Sequence, residues 1–218
     1  MKKIVILGPE STGKSTLCEQ LAACYNTQWV PEYARTYLQK NGTQYRYEDL
    51  FEIAKGQVEN EEIIVKSQES IVNSQESIVN SQQSLVNSQE SIVNGQKSLV
   101  NNSQTILNPQ PVTPGSLTFI DTDLYTIKIW SEIAFNKCDN RILTQIAFRK
   151  YDVYLLCNTD LPWAEDSMRE YPDLKSRQKI YHHYRDALIN QKIPWIDIKG
   201  NYGERLASAI AFVDKVLF

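Results

Sequence analysis

A complete phosphate-binding loop near the start of the chain constrains the fold more than any other feature of the sequence. Residues Gly8 to Ser15 read GPESTGKS and satisfy the pattern G-x-x-x-x-G-K-S. The apolar run Ile4 to Leu7 before the loop is typical of a buried parallel strand, and residues Thr16 to Leu21 after it indicate a helix. In such a loop the backbone N–H groups surround a polyphosphate, while the lysine and the next hydroxyl serve the terminal phosphates and Mg²⁺. The order of strand, loop and helix predicts an α/β fold that binds a nucleotide.

The composition of the 218 residues narrows the class of protein. With 42% hydrophobic residues the chain can form one sizeable core, so we expect a single domain over residues 1–218. A net charge of −3 argues against a nucleic-acid surface, and no stretch reaches the length of a membrane span. The scattered cysteines Cys18, Cys24, Cys138 and Cys157 are typical of free thiols in a reducing cytoplasm. We therefore expect a cytoplasmic protein whose partners are small molecules, with neither a nucleic-acid nor a membrane partner.

Alternating strand-like and helical patterns predict a five-stranded parallel sheet flanked by helices. Besides the strand that ends at Leu7, we expect strands near Gln28 to Pro31, Leu117 to Asp121, Tyr151 to Asn158 and Pro194 to Lys199. We expect helices over Lys14 to Tyr25, from Tyr47 onward, and over Leu124 to Arg149, Asp173 to Gln191 and Tyr202 to Leu217. Ligands of such sheets bind beyond the carboxyl ends of the strands, so we expect the site there.

A tandem heptad repeat with units such as SQESIVN occupies residues 67–108, and we interpret it as an insertion within the domain. Each unit offers only one adjacent apolar pair, such as Ile71 and Val72, so a coiled-coil stripe would be weak. The absence of proline and a helical lead-in over residues 50–66 favour one continuing helix over disorder or a compact β arrangement. The prolines and glycine of residues 109–115 mark a return loop. The weak stripe is compatible with self-association of the chain.

Two strand ends supply candidate catalytic residues. The strand at residues 117–120 runs into Asp121 and Asp123, which the pleat can place on one side, Asp121 towards Mg²⁺ and Asp123 towards a substrate hydroxyl. Helix capping is the alternative for Asp123. After the second strand, a loop reading PEYAR brings Glu32, Tyr33 and Arg35 to the side expected for the phosphate acceptor, with surface ion pairing as the alternative.

The region after the fourth strand has the features of a mobile lid. Residues Asn158 to Trp163 lead to Asp166, Arg169 and Arg177, and guanidinium groups on a lid can contact a transferring phosphate. Solvated arginines on a helix surface are the alternative. The NKCD sequence at residues 136–139 matches N-K-x-D, but it lies in or after a helical stretch and not behind a strand, so we do not interpret it as a guanine site.

Five segments together resemble the bacterial nicotinamide riboside kinases, the kinase module of NadR-type NAD-biosynthesis proteins in the P-loop NTPase superfamily. The segments are GPESTGKSTL, VPEYARTYL, FIDTDLYTIKIW, YDVYLLCNTDLPW with the following REYPDL, and GNYGERL. The resemblance covers most of the chain but not the repeat, which the family pattern lacks. A nucleotidylyltransferase module with its H-x-G-H signature is not found in this sequence, which leads us to expect a stand-alone kinase.

The resemblance implies ATP-dependent phosphorylation of the 5′-hydroxyl of nicotinamide riboside to nicotinamide mononucleotide. It implies ATP phosphates at Gly8, Glu10, Ser11, Thr12, Gly13, Lys14, Ser15 and Thr16, and Mg²⁺ at Ser15 and Asp121. Lys14 and Arg169 would neutralise the transferred phosphoryl group, and Glu32 or Asp123 would orient the hydroxyl. Candidates for acceptor contacts are Glu32, Tyr33, Arg35, Asp123 and Trp130, although each aromatic is also a plausible core residue. Asn201, Tyr202 and Arg205 would border the adenine, with helix capping as the alternative.

The sequence is compatible with two other functions. One is a kinase of the same fold for another nucleoside or for a vitamin such as thiamine, because the acceptor side is the least specific part of the pattern. The other is a regulatory module that binds a nucleotide without catalysis. The two aspartates after the third strand weigh against the regulatory module, because sensing alone does not need them.

Overall fold

The computed structural model describes residues 1–93 and 117–218, and for residues 75–93 it describes the backbone alone. Within these residues one parallel sheet contains five strands: β1 (Lys2–Leu7), β2 (Trp29–Val30), β3 (Leu117–Asp121), β4 (Val153–Cys157) and β5 (Trp195–Ile198). Their order across the sheet is β2-β3-β1-β4-β5, and every neighbouring pair is parallel. The predicted five-stranded parallel sheet is therefore confirmed, with β2, β4 and β5 shorter than expected.

Helices cover both faces of the sheet. Those in the described residues are α1 (Lys14–Cys24), α2 (Tyr33–Asn41), α3 (Tyr47–Val93), α4 (Leu124–Phe135), α5 (Asn140–Phe148), α6 (Leu174–Ile189) and α7 (Tyr202–Leu217). Because side chains alternate along a strand, Ile4 and Ile6 pack with α1 and α7, while Val5 and Leu7 pack with α4 and α6. The central strand β1 is thus buried on both faces, as its continuous apolar run indicated.

The prediction of a single helix over Leu124 to Arg149 is wrong, because the NKCD sequence ends one helix and begins another. Asn136 adopts a left-handed conformation with φ of 53° and closes α4. The Asp139 carboxylate then accepts a hydrogen bond from the Arg141 N–H at 2.8 Å and caps α5. These contacts give NKCD a role in ending and starting helices. The loop expected around Tyr33 is also different, since α2 begins at that residue.

Helix α3 runs from the non-repetitive lead-in into the heptad repeat. It contains 47 residues, which corresponds to a length of about 70 Å. The predicted continuation of one helix into the repeat is therefore seen as far as Val93. The units between residues 94 and 108 and the return loop at residues 109–115 lie outside the described residues.

The first repeat unit packs against the edge of the sheet. Gln68 is only 2% exposed, and its Nε2 donates to the Thr27 hydroxyl at 2.5 Å while its Oε1 accepts from the Thr118 hydroxyl. The Thr27 hydroxyl in turn donates to the Leu117 carbonyl oxygen. This part of the repeat therefore fixes α3 to the start of β3, and a projecting insertion would begin after Gln68 and not at Ser67.

The described residues also bear on the cysteines and on membrane association. All four cysteines fall within them, and each is a free thiol, with Cys18 and Cys157 buried in the core. Among the helices described, none combines the length and the hydrophobicity needed to cross a bilayer.

The contact of Gln68 can be tested by substitution. We expect Gln68→Ala to lower the free energy of unfolding by about 1–3 kcal/mol, because it removes both hydrogen bonds of this buried amide and takes the amide acceptor from the buried Thr118 hydroxyl. The neighbouring Glu69 is exposed, so Glu69→Ala should change stability by less than about 0.5 kcal/mol. Urea denaturation measures both, and equal effects of the two substitutions would contradict the docking of this unit.

Candidate active site

The loop between β1 and α1 has a defined shape. Gly8 has φ of 142°, and an added Cβ would lie 2.6 Å from the carbonyl oxygen of Cys157, so only glycine fits. The Thr12 hydroxyl and the Lys14 ammonium both donate to the Pro9 carbonyl oxygen, at 2.7 and 3.0 Å. The loop therefore presents its backbone at the N-terminus of α1, where free N–H groups favour an anion.

Asp121 lies directly behind this loop. Strand β3 pairs with β1 so that Asp121 is opposite Ile6, and the Ser15 hydroxyl donates to the Asp121 carboxylate at 2.5 Å. The pKa of the Asp121 carboxyl is raised to about 6, chiefly by burial and also by the negative charge of Glu32, against the opposing effect of the Lys14 ammonium. Two carboxylates and a hydroxyl close together form a set of oxygen ligands suited to a hard divalent cation.

Asp123 occupies a different environment from Asp121. Thr122 between them has φ of 75°, which is unusual for a β-branched residue and interrupts the alternation expected from a strand. The Asp123 carboxylate accepts from the Tyr125 N–H at 2.9 Å and from the Tyr154 hydroxyl at 3.1 Å, so it caps α4. Burial raises its pKa to about 7. Neither aspartate is among the residues that line the cleft, but Asp121 accepts a hydrogen bond from the phosphate-binding loop, whereas the contacts of Asp123 match the capping alternative.

A cleft of about 240 Å³ opens above the loop. It brings together most of the residues predicted for the site: Gly8, Glu10, Ser11, Thr12, Gly13, Lys14, Ser15, Thr16, Glu32, Arg35, Trp130, Arg169 and Tyr202. Sequence reasoning missed several other lining residues, among them Thr126, Ile129, Met168, Glu170, Tyr171 and Tyr184. The cleft thus has a loop side that is rich in backbone N–H groups and a second side with carboxylate, aromatic and aliphatic groups.

Hydrogen bonds fix the aromatic part of the second side. The Trp130 indole donates to the Tyr45 hydroxyl at 2.6 Å, and that hydroxyl donates to the Glu170 carboxylate at 3.2 Å. The two rings meet edge to face with centroids 4.6 Å apart. Trp130 is therefore oriented by its neighbours and lines the cleft.

Residues 158–173, between β4 and α6, form a lid segment over the cleft. The Glu10 carboxylate accepts from the backbone N–H groups of Glu170 and Tyr171 at 2.8 and 3.1 Å. Arg35 pairs with Asp166 at 2.9 Å, so its guanidinium holds the lid segment as well as lining the cleft. The lid segment is therefore attached to both sides of the cleft.

Two arginines predicted for the lid region lie in different environments. Arg169 lines the cleft, and its guanidinium lies 3.4 Å from the Ser11 hydroxyl. Arg177 is buried in α6, donates to the Leu161 carbonyl oxygen and lies 5.5 Å from the Trp163 ring, so it supports the lid segment from behind. Only Arg169 of the two can contact a ligand in this arrangement.

Two other predicted residues lie outside the cleft lining. The Tyr33 ring packs between α2 and α3, where an added Cβ on Gly56 would lie 2.1 Å from the ring. Arg205 is buried beneath the loop and contacts backbone carbonyl groups. By contrast, Tyr202 stays half exposed at the cleft, and Asn201 caps α7 as the capping alternative expected.

The sequence profile of a family described as an AAA domain matches residues 3–205. The chain therefore belongs to this family. The match includes the phosphate-binding loop, the strand that ends at Asp121 and the lid segment. The family and the observed fold together place the chain among the P-loop proteins.

Two curated relatives are both described as the trifunctional NAD biosynthesis/regulator protein NadR. The protein from Salmonella typhimurium is 21% identical and the protein from Escherichia coli K12 is 20% identical, each over 222 residues. The matches cover 100% of this chain and 43% of each relative, so the chain spans less than half the length of these proteins.

Two crystal structures of NadR protein share the fold. One is described as a complex with NR and has a TM-score of 0.67, and the other is described as a complex with NAD and AMP-PNP and has a TM-score of 0.63. Both are 18% identical and cover 99% of this chain, but 51% and 49% of the NadR chains. The resemblance to NadR-type proteins inferred from the sequence motifs is thus confirmed at the level of fold and family.

The raised pKa of Asp121 leads to a prediction for the ligand-free chain without divalent cations. Because the folded-state pKa of about 6 exceeds the value near 4 of an unfolded chain, the contribution of Asp121 to stability falls as pH rises from about 4 to 6 and stays lower above that range. We expect Asp121→Asn to raise the free energy of unfolding at pH 7 by about 1–3 kcal/mol and to have a smaller effect at pH 4.

Urea denaturation at both pH values tests this expectation. Asp186 is exposed on α6, so Asp186→Asn serves as the matched control and should change stability by less than about 0.5 kcal/mol. A loss of stability in Asp121→Asn at pH 7 would contradict the proposed cost of burying this carboxylate.

Proposed function

We propose that the chain is an ATP-dependent kinase that transfers a phosphoryl group to the 5′-hydroxyl of nicotinamide riboside and forms nicotinamide mononucleotide, a step of NAD salvage. The observation that carries the proposal is one cleft in which the phosphate-binding loop faces a side lined by Glu32 and Trp130. The NadR structures of similar fold, described with NR and with AMP-PNP, support it, since we interpret NR as nicotinamide riboside.

The loop side of the cleft binds ATP in this proposal. The backbone N–H groups of residues 8–16 surround the phosphates, and the Lys14 ammonium exchanges its contact with the Pro9 carbonyl for the terminal phosphates. Tyr202 lies beside Gly13, with its ring 3.2 Å from a Cβ built on that glycine, and borders the nucleoside. Lys14 and Arg169 together neutralise charge on the transferred group.

The residues next to the loop fit a magnesium ion. The Ser15 hydroxyl and the Asp121 carboxylate are oxygen ligands, and the burial of Asp121 near the negative charge of Glu32, which raises its pKa, leaves a charge that a cation would balance. When bound, Mg²⁺ neutralises phosphate charge. Ser15 and Asp121 hold the cation in this proposal, and their hydrogen bond keeps both groups in place.

Glu32 orients the acceptor hydroxyl. It lines the cleft, whereas Asp123 is buried and its carboxylate caps α4. Of the two candidate bases, Glu32 is therefore the one with access to a ligand. The riboside oxygen forms a bond to the γ-phosphorus as the bond between that phosphorus and the ADP oxygen breaks. The hydroxyl proton passes to the Glu32 carboxylate.

The second side of the cleft suits a cationic ring. Nicotinamide riboside carries a pyridinium cation, and the face of Trp130 attracts such a cation. Glu32 and Glu170 add negative charge to the same lining. Tyr184 and Ile129 supply the flat apolar surface that an aromatic ring can pack against.

We further propose that residues 1–218 form one kinase domain into which the repeat is inserted.

An assay of acceptor choice tests the proposal directly. With ATP and Mg²⁺, we expect kcat/KM for nicotinamide riboside to exceed that for uridine, cytidine and thiamine by at least about tenfold, or roughly 1.4 kcal/mol. The reason is that the two nucleosides lack the positive charge that Trp130 and the carboxylates favour, and thiamine lacks the ribose 5′-hydroxyl. Release of ADP together with mass spectrometry of the product measures this.

The outcomes of the assay separate the candidate functions. Lys14→Ala is the matched negative control and should fold normally but transfer no phosphoryl group. Faster turnover of a competing acceptor would overturn the riboside assignment and leave a kinase of the same fold. ATP binding without transfer to any acceptor would favour the regulatory module.

The role of Glu32 leads to a further prediction. We expect Glu32→Gln to lower kcat/KM for the riboside by at least about 10²-fold, because the amide can neither accept the hydroxyl proton nor attract the cation. Its KM for ATP should change by less than about threefold. Glu19 is exposed on α1, so Glu19→Gln is the control and should behave like the unaltered chain. Steady-state kinetics that are unaffected in Glu32→Gln would remove this residue from the mechanism.

A further inference from the structure

Arg205 forms an unusual number of contacts beneath the phosphate-binding loop. The residue lies in the first turns of α7 and is only 2% exposed. Its Nε donates to the Gly200 carbonyl oxygen at 2.8 Å, its Nη1 to that of Thr12 at 3.0 Å and its Nη2 to that of Asn158 at 3.0 Å. Its Nη2 also contacts the Asp160 carboxylate. A planar group with five N–H donors can satisfy this set, whereas a lysine ammonium has only three donors around one nitrogen.

These acceptors belong to three separate loops at the same edge of the sheet. Thr12 is in the loop after β1, Asn158 and Asp160 follow β4, and Gly200 follows β5. The Asp160 carboxylate also accepts from the Gly200 N–H at 2.6 Å, which closes the arrangement. Arg205 therefore links the phosphate-binding loop to the ends of two other strands.

The contact with Thr12 determines the orientation of one peptide group. In a trans peptide the carbonyl of one residue and the N–H of the next point in opposite directions, and the described peptide bonds are trans. Because Arg205 holds the Thr12 carbonyl beneath the loop, the N–H of Gly13 is directed to the opposite side. Gly13 lines the cleft and is the N-cap residue of α1, so this N–H is directed to the place where a phosphate would bind.

We propose that Arg205 is a positioning residue for the nucleotide phosphates, which acts by fixing the peptide between Thr12 and Gly13. This inference rests on the proposed binding of ATP in the cleft. It replaces the expectation that Arg205 borders the adenine, since its guanidinium is buried and does not line the cleft. A donor that is already oriented loses less freedom when the phosphate binds, so the effect of Arg205 falls on the affinity for ATP.

The test compares binding of two ligands in the full-length chain. Calorimetry measures ATP binding with Mg²⁺ and without nicotinamide riboside. In Arg205→Lys we expect the Kd for ATP to rise at least about tenfold, because one ammonium cannot donate to all the oxygen atoms that Arg205 contacts. The Kd for nicotinamide riboside should change by less than about twofold. Tyr25→Phe is the matched control, because it removes a 2.6 Å hydrogen bond to Asp214 at the other end of the contact between α1 and α7. It should lower the melting temperature but leave both Kd values unchanged.

A second variant keeps the test decisive if Arg205→Lys does not fold. Asp160→Asn retains an oxygen that can accept from Arg205 but removes the ion pair, and we expect it to raise the Kd for ATP about threefold. An unchanged Kd for ATP in a folded Arg205→Lys, or in Asp160→Asn if only that variant folds, would overturn the proposal. Equal weakening of both ligands would also overturn it, because a merely structural role affects the whole cleft. An unaltered chain that binds ATP but phosphorylates no riboside would overturn the proposed function and leave the positioning role to be judged by the ATP affinities alone.

Discussion

The hydrogen bond between Ser15 and Asp121 joins the phosphate-binding loop to the neighbouring strand, and the rest of the site is arranged around it. Parallel pairing of β1 with β3 brings the two residues to the same edge of the sheet, so the contact follows from the topology. The ligand-free chain must bury a carboxylate there, next to the negative charge of Glu32. Such a cost is typical of a site whose ligand supplies the missing positive charge. The local chemistry therefore favours a cation next to bound phosphates.

The two sides of the cleft are connected through the lid segment of residues 158–173. On the loop side the Glu10 carboxylate binds two backbone N–H groups of this segment, and on the other side Arg35 pairs with Asp166. The hydroxyl of Tyr45 connects the same segment to Trp130. A ligand that moves the lid segment from either side therefore alters contacts on the other side. Because coupling between two sites is reciprocal, ATP and the acceptor should affect the affinity of each other to the same extent.

Much of the fold and the loop side of the site could be predicted from the sequence, because these features depend on residues close together in the chain. Strands β1 and β4 contain continuous apolar runs, and the loop motif fixes its own geometry. The acceptor side depends on packing between distant elements, which explains the differences. Asp123 caps a helix because Thr122 departs from strand geometry, and Tyr33 packs against Gly56 on another helix. Tyr184 reaches the cleft from α6, but its sequence context does not distinguish it from a core tyrosine.

The central claim is that one cleft holds the phosphate donor on its loop side and the acceptor hydroxyl at Glu32. A crystal structure of the chain with a non-hydrolysable ATP analogue, Mg²⁺ and nicotinamide riboside tests this most directly. We expect the 5′-oxygen of the riboside at about 3 Å from the Glu32 carboxylate, with its lone pair facing the γ-phosphorus and Mg²⁺ next to Ser15. A riboside bound outside the cleft, or a 5′-oxygen held by Asp123 with Glu32 turned away, would contradict the account.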